Sequence, residues 1–241
     1  QVLFKKETTF GTNPQTISSK LVNGKKIPLV DPRIKGNGAS PVHVQKPNNT
    51  PPGDYPPGFL GQIAQYIHDS SFLPVREVGI AGAIALCAGI VGRQFNIRSS
   101  GLNQYVILLG KTGIGKEGAV NGIERIMAAV RPQMPVIDSF MGPGSIASGQ
   151  GLIRHLDKFP CFLTTIGECG LWLQDLSDPS SNSAVRMIRR VLLDLYSKSN
   201  KAGVLNPTVY SDTQKNTQKL FAPAVTIFGE STPEQFYAGL S

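Results

Sequence analysis

The chain has 241 residues, 40% hydrophobic and 17% charged, with a formal charge of +8. That length buries one good core and leaves room for a tail or small accessory segment. Cys87, Cys161 and Cys169 lie in apolar stretches without CxxC spacing, which excludes a disulfide frame or zinc site and reads as buried thiols in a reducing compartment, the cytoplasm. The most membrane-like stretch, Val78–Gly92, is uncharged and rich in Gly and Ala. It falls short of the ~18–20 residues a bilayer span needs, so a soluble protein with no membrane contact is expected, this stretch being a buried helix packed through its small residues.

The charge is uneven: residues 1–60 carry eight Lys/Arg against three Asp/Glu and nine of the eighteen prolines. Residues 1–57 lack sustained periodicity, and proline bars a helix from PNNTPPGDYPPG. This segment reads as an extended basic arm or linker. From 58 to 100 the pattern turns helical. Phe59, Leu60, Ile63 and Ile67 share one face, ending near His68–Ser71, and a second helix covers roughly 75–92.

From 101 to 241 the elements alternate as in an α/β core. Tyr105–Leu109 is an apolar run of the kind found in a central parallel strand. Glu117–Val130 is helical, with Val120, Ile123, Met127 and Val130 inward. Pro135–Asp138 is expected to be a second strand before the loop Met141–Gly144, and Ser145–Leu156 a helix burying Ile146, Leu152, Ile153 and Leu156. Cys161–Ile166 is a third strand and Ala184–Tyr196 a long helix. Val204–Tyr210 and Leu220–Phe228 are expected to pair around a polar loop. The chain ends about a dozen residues after that last strand, so the core is expected to be truncated at its C-terminus.

Between the first strand and its helix, Gly110-Lys111-Thr112-Gly113-Ile114-Gly115-Lys116 fits G-x-x-x-x-G-K. The glycines let successive N–H groups turn toward one point, the helix N-terminus adds positive character, and Lys116 supplies a charge for the β and γ phosphates of ATP. In a chain of this glycine and lysine content the pattern arises by chance roughly 0.16 times. The strand before it and the amphipathic helix after it carry the assignment. Glu117 stands where a Ser or Thr usually binds magnesium. Its carboxylate either joins the metal shell, directly or through water, or repels the phosphates. Thr112 is a substitute hydroxyl.

The third strand ends in Gly167-Glu168, one acid where an acidic pair is usual. Glu168 is the candidate base or water-orienting group and a candidate metal ligand, or else caps a loop. Asp138 is a lesser candidate for the metal shell. After the last strand comes Gly229-Glu-Ser-Thr-Pro233, where Thr232 or Ser231 is placed to sense the γ-phosphate, or Thr232 to cap a helix. Arg186, Arg189 and Arg190 are candidates for an arginine lent to a neighbouring subunit, Arg189 foremost, or form a solvated helix face. Lys215 and Lys219, in the polar loop 211–219, either contact nucleic-acid phosphates or lie on an ordinary hairpin tip. His43, His68 and His155 are isolated, and neither Trp172 nor Phe236 has the aromatic neighbours of a base-stacking platform.

YVILLGKTGIGKEG, GPGSIASGQGLIRHL, FLTTIGECG and FGESTPEQF, with the lead-in from Phe59, resemble a P-loop family of phage and plasmid replication proteins over roughly Pro57–Leu240. That family is often fused to primase-like domains. The resemblance implies a RecA-like ATPase core using ATP and magnesium, a homo-oligomeric ring, and unwinding of or translocation on single-stranded DNA. A different reading is a nucleotide-binding structural or regulatory module, with Glu117 and Gly167 marking lost catalysis. An ATPase acting on a protein assembly is a third.

Overall fold

A computed structural model describes residues 20–22, 25–27, 54–212, 214 and 216–239. The chain divides into two compact units, Gln1–Val44 and Gln45–Ser241. In the first, β1 (Lys20–Val22) pairs antiparallel with β2 (Lys25–Ile27). The second holds everything that follows.

Its centre is a three-stranded parallel sheet formed by β3 (Tyr105–Leu109), β4 (Cys161–Ile166) and the later strand β7 (Ala224–Ser231). The spatial order is β3-β7-β4. The last strand in the chain thus lies in the middle, and Tyr105 faces Ile227 on one side while Cys161 faces Ala224 on the other. The fold class is α/β with a parallel sheet, as expected from the alternation of elements.

Side chains of β4 and β7 alternate between two cores, as the two-residue period of a strand requires. Leu163 and Phe228 pack with α1 (Phe59–Asp69), α2 (Arg76–Val91) and α3 (Gly118–Val130). Phe162, Val225 and Ile227 pack with α4 (Gly149–Lys158) and α6 (Ser183–Tyr196). The helical lead-in therefore shares one core with α3, the helix that follows the glycine loop. Small residues make the close fit of α2 possible. A Cβ on Gly89 would stand 2.6 Å from the Leu163 Cβ, and one on Gly79 would stand 2.5 Å from the Ala64 carbonyl oxygen. No helix among the described residues is long and apolar enough to cross a membrane.

The expected strand 135–138 is instead a 3-10 helix, Pro135–Phe140. Proline has no N–H to give a sheet ladder but suits the first helical position, which it occupies here. Pairing begins just beyond: Met141 forms a parallel bridge with Leu163, and Gly142 N donates to the Leu163 carbonyl at 2.7 Å. This single bridge lies on the outer side of β4, opposite β7. The helix expected from Ser145 starts at Gly149, because Ser148 caps it by accepting from Gly151 N at 3.0 Å. Ile146 is nonetheless buried.

The expected pairing of 204–210 with 220–228 holds only at its base, where β5 (Val204–Leu205) is antiparallel to β6 (Leu220–Phe221). Ala222, at φ 48°, and Pro223 then break the run, and 224 onward joins the central sheet. The helices α5 (Cys169–Ser177) and α7 (Pro233–Ala238) complete the unit. The three cysteines are free: Cys161 and Cys169 are buried and Cys87 is half-buried. Burial raises all three thiol pKa values, that of Cys169 to about 11, which keeps the thiols protonated and inert.

The close approach of α2 to β4 gives a direct test. Gly89→Ala is expected to destabilise the protein by about 1–3 kcal/mol, since the methyl meets a β-carbon and backbone rather than a flexible tip. Chemical denaturation of both forms measures it.

Candidate nucleotide site

The loop Gly110–Lys116 leaves the C-terminal end of β3 and enters α3 two residues later, at Gly118. Gly110 N donates to the Ser231 carbonyl at 3.1 Å, so the loop is anchored to the central strand at its first residue. Gly113 and Gly115 have φ of +77° and +87°, left-handed values that suit glycine and turn backbone N–H groups inward. At Gly115 a second constraint acts: a Cβ would stand 2.6 Å from the Leu73 carbonyl oxygen. Lys111, Thr112, Gly113 and Ile114 are exposed, while Lys116 is half-buried. Lys116 Nζ donates to the carbonyls of Gly110 at 2.7 Å and Lys111 at 2.8 Å, which holds the ammonium over the loop.

Glu117 is exposed, and as N-terminal flank of α3 its side chain makes no cap hydrogen bond. Glu168 is also exposed and begins α5 in the left-handed conformation, φ 49° and ψ 44°. A non-glycine residue there costs about 1–2 kcal/mol. Such strain is commonly kept where a side chain must be aimed.

Glu230, on β7, was not singled out from the sequence. It lies opposite Leu108, one residue from the end of the middle strand, and is half-buried. One carboxylate oxygen, Oε1, is buried without a hydrogen-bond partner. Burial raises its pKa first. The charges of Glu117 and Glu168 raise it further, against the opposing effect of Lys116. Glu117, Glu168, Glu230 and Lys116 therefore share one electrostatic neighbourhood at the C-terminal edge of the sheet. A signal was present in the sequence: Glu230 is an acid one glycine beyond the mostly apolar run Ala224–Phe228.

Ser231 is buried and donates to the Thr232 carbonyl at 3.0 Å. Thr232 caps α7, accepting from Gln235 N at 3.4 Å, so its hydroxyl serves the helix. Asp138 is paired with Arg131 at 2.8 Å on the 3-10 helix, which satisfies its charge away from the loop. Among the described residues no three of His, Cys, Asp and Glu stand close enough together to hold a metal ion by themselves. Magnesium, however, commonly takes one or two carboxylates and completes its shell with phosphate oxygens and water. The exposed carboxylates of Glu117 and Glu168 fit that lesser demand.

Arg189 lies exposed on α6. Its neighbours Arg186 and Arg190, with Lys198, line a separate groove of about 660 Å³ between α6 and the 204–210 segment. Lys219 Nζ stands 5.7 Å from the centre of the Phe221 ring. Lys215 lies outside the described residues, as does His43. His68 contacts Asp69 at 2.8 Å, and His155 packs on the rings of Phe159 and Phe162, where burial lowers its pKa. Neither histidine belongs to the loop site.

Comparison with family models and with curated proteins finds no match for this chain.

Two outcomes test this geometry. Glu168→Gly is expected to stabilise the fold by up to about 1 kcal/mol, because glycine adopts positive φ without the steric cost. At Glu230 the raised pKa means that ionisation costs the folded state more than the unfolded one. The associated stability is present below the ordinary carboxylate pKa and is lost as pH rises through the folded value. Glu230→Gln should therefore melt higher than wild type at pH 7–8, with the difference closing below about pH 4.5, the ordinary value. Thermal melts across pH measure both the sign and the window.

Proposed function

We propose that this chain is an ATP-binding and ATP-hydrolysing motor domain of RecA-like type, acting as a helicase or translocase on single-stranded DNA. The observation that carries the nucleotide reading is the pairing of a glycine-turned loop bearing Lys116 with Glu230, a half-buried carboxylate on which the charges of Lys116, Glu117 and Glu168 all act. The loop has two left-handed glycines and an ammonium held over its mouth. The strand order supports it as well. β7 separates the loop strand β3 from the acid strand β4, which leaves the width of one strand between phosphate cradle and acid. A terminal phosphate and an attacking water need such a gap.

In this reading the backbone N–H groups of 111–116 hold the phosphates, and Lys116 gives up its carbonyl partners to bind the β and γ oxygens. Glu168 orients and deprotonates water. Magnesium supplies charge neutralisation between the phosphates, held through Glu117 or Glu168. Glu230, rather than the capping residue Thr232, is the middle-strand group that faces the γ-phosphate. Arg189 is the candidate arginine offered to a neighbouring subunit of a homo-oligomeric ring, which its exposure permits. Lys219 and Lys215 are the candidate nucleic-acid contacts, and the site of work is the cytoplasm of a bacterial or phage-infected cell.

A nucleotide-binding module without turnover is the second reading, favoured by one observation: Glu117 puts a negative charge where a hydroxyl usually binds magnesium. Mg-ATP titration and turnover separate the two. Lys116→Ala is expected to weaken ATP binding roughly tenfold or more, through loss of charge-assisted hydrogen bonds. Glu168→Gln is expected to keep binding and to lower hydrolysis by ~10²–10⁴. Binding that survives Lys116→Ala unchanged refutes the phosphate loop. Binding without hydrolysis in the assembled wild-type protein, with single-stranded DNA present, leaves only the module.

A further inference from the structure

The connection between α1 and α2 crosses the start of α3 and is fastened there. Leu73 O lies 2.6 Å from the point where a Cβ on Gly115 would stand, and Ser71 Oγ lies 2.6 Å from the same point on Gly118. Ser71 Oγ also donates to Ile67 O at 2.6 Å, and Arg125 on α3 donates to Ser70 O. Residues 70–73 thus form a strap held against the glycine loop at Leu73, the first turn of α3 at Ser71 and Arg125 of the same helix at Ser70. In the middle of this strap stands Phe72, which is 96% exposed, followed by Leu73 at 41%.

A fully exposed phenylalanine forgoes roughly 1.5–3 kcal/mol of burial. Here it is held in water by a strap whose flanking residues are both anchored, so local disorder does not account for it. The phosphates do not need it either, since an apolar ring offers them nothing. What the loop leaves unprovided is a surface for the other end of a nucleotide.

We propose that Phe72 is the stacking platform for the base of the bound nucleotide, an inference that rests on the nucleotide reading above. Contact decides it. The strap touches the loop itself at Gly115, through Leu73, and the start of α3 at Gly118, through Ser71. Phe72, between those two contacts, is the exposed aromatic ring set beside the loop. A ring face stacks on any base and reads no hydrogen-bond pattern. Phe72 therefore supplies affinity without base identity, so ATP and GTP bind about equally.

Calorimetric titration of the full chain with ATP, GTP and inorganic tripolyphosphate tests this, comparing wild type, Phe72→Ala, Phe72→Trp and Lys116→Ala. Phe72→Ala is expected to weaken ATP and GTP about tenfold while leaving tripolyphosphate unchanged, and Phe72→Trp to restore both nucleotides. Lys116→Ala is expected to weaken all three. The platform is overturned if wild type binds tripolyphosphate as tightly as ATP, or if Phe72→Ala binds ATP like wild type. It is overturned equally if Phe72→Ala weakens tripolyphosphate as much as ATP, or changes only the sedimentation of the protein. The first two of these outcomes leave the phosphate loop standing. A wild type that binds neither ATP nor tripolyphosphate removes loop and platform together.

Discussion

The parallel pairing of β7 with β3 on one side and β4 on the other is the interaction on which the second unit depends. Ala224 to Phe228 are all buried, because this strand is covered on both faces and both edges. Its side chains enter both cores, Phe228 toward α1–α3 and Val225 and Ile227 toward α4 and α6. The same strand anchors the glycine loop through the Ser231 carbonyl and carries Glu230 beside the charges of Lys116, Glu117 and Glu168. Stability and chemistry thus meet in one eight-residue element.

Around it, close approach is achieved with glycine rather than with large complementary side chains. Gly79, Gly89, Gly115 and Gly118 each leave no room for a methyl group. At Gly115 this steric demand coincides with a left-handed φ, so backbone conformation and packing require the same residue. The loop is consequently shaped from two directions: by its own dihedral angles and by the strap from the helical lead-in. That coupling explains why α1 and α2 are part of the site's foundation and not an independent appendage.

Electrostatically, the site is unbalanced. The charges of Glu117 and Glu168 act on Glu230 against that of Lys116, and one oxygen of Glu230 is buried without a hydrogen-bond partner. The left-handed backbone of Glu168 adds steric cost at the same edge of the sheet. A purely structural strand end has no need of either. Costs of this kind are commonly retained at sites where side chains must be held in place for a function.

Local pattern in the sequence determined the elements that depend on near neighbours: the apolar strand Tyr105–Leu109, the glycine loop, the strand Cys161–Ile166, and helices whose apolar residues recur at helical spacing. It singled out Lys116 and Glu168 for the same reason, since Lys116 closes the glycine loop and Glu168 stands two residues beyond the strand Cys161–Ile166. Where one residue has two uses, only the tertiary structure decided between them. Pro135 was compatible with a strand edge but begins a 3-10 helix. Ala222 carries no sequence mark of its left-handed turn, so the division between β6 and β7 was not legible. The central position of β7 depends on pairing with residues about sixty and one hundred and twenty positions away, beyond the reach of any local period. Glu230 and Phe72 acquire their settings in the same way, from contacts between segments remote in the chain. A charge or an aromatic ring in the sequence has no burial, partner or neighbour until those segments meet.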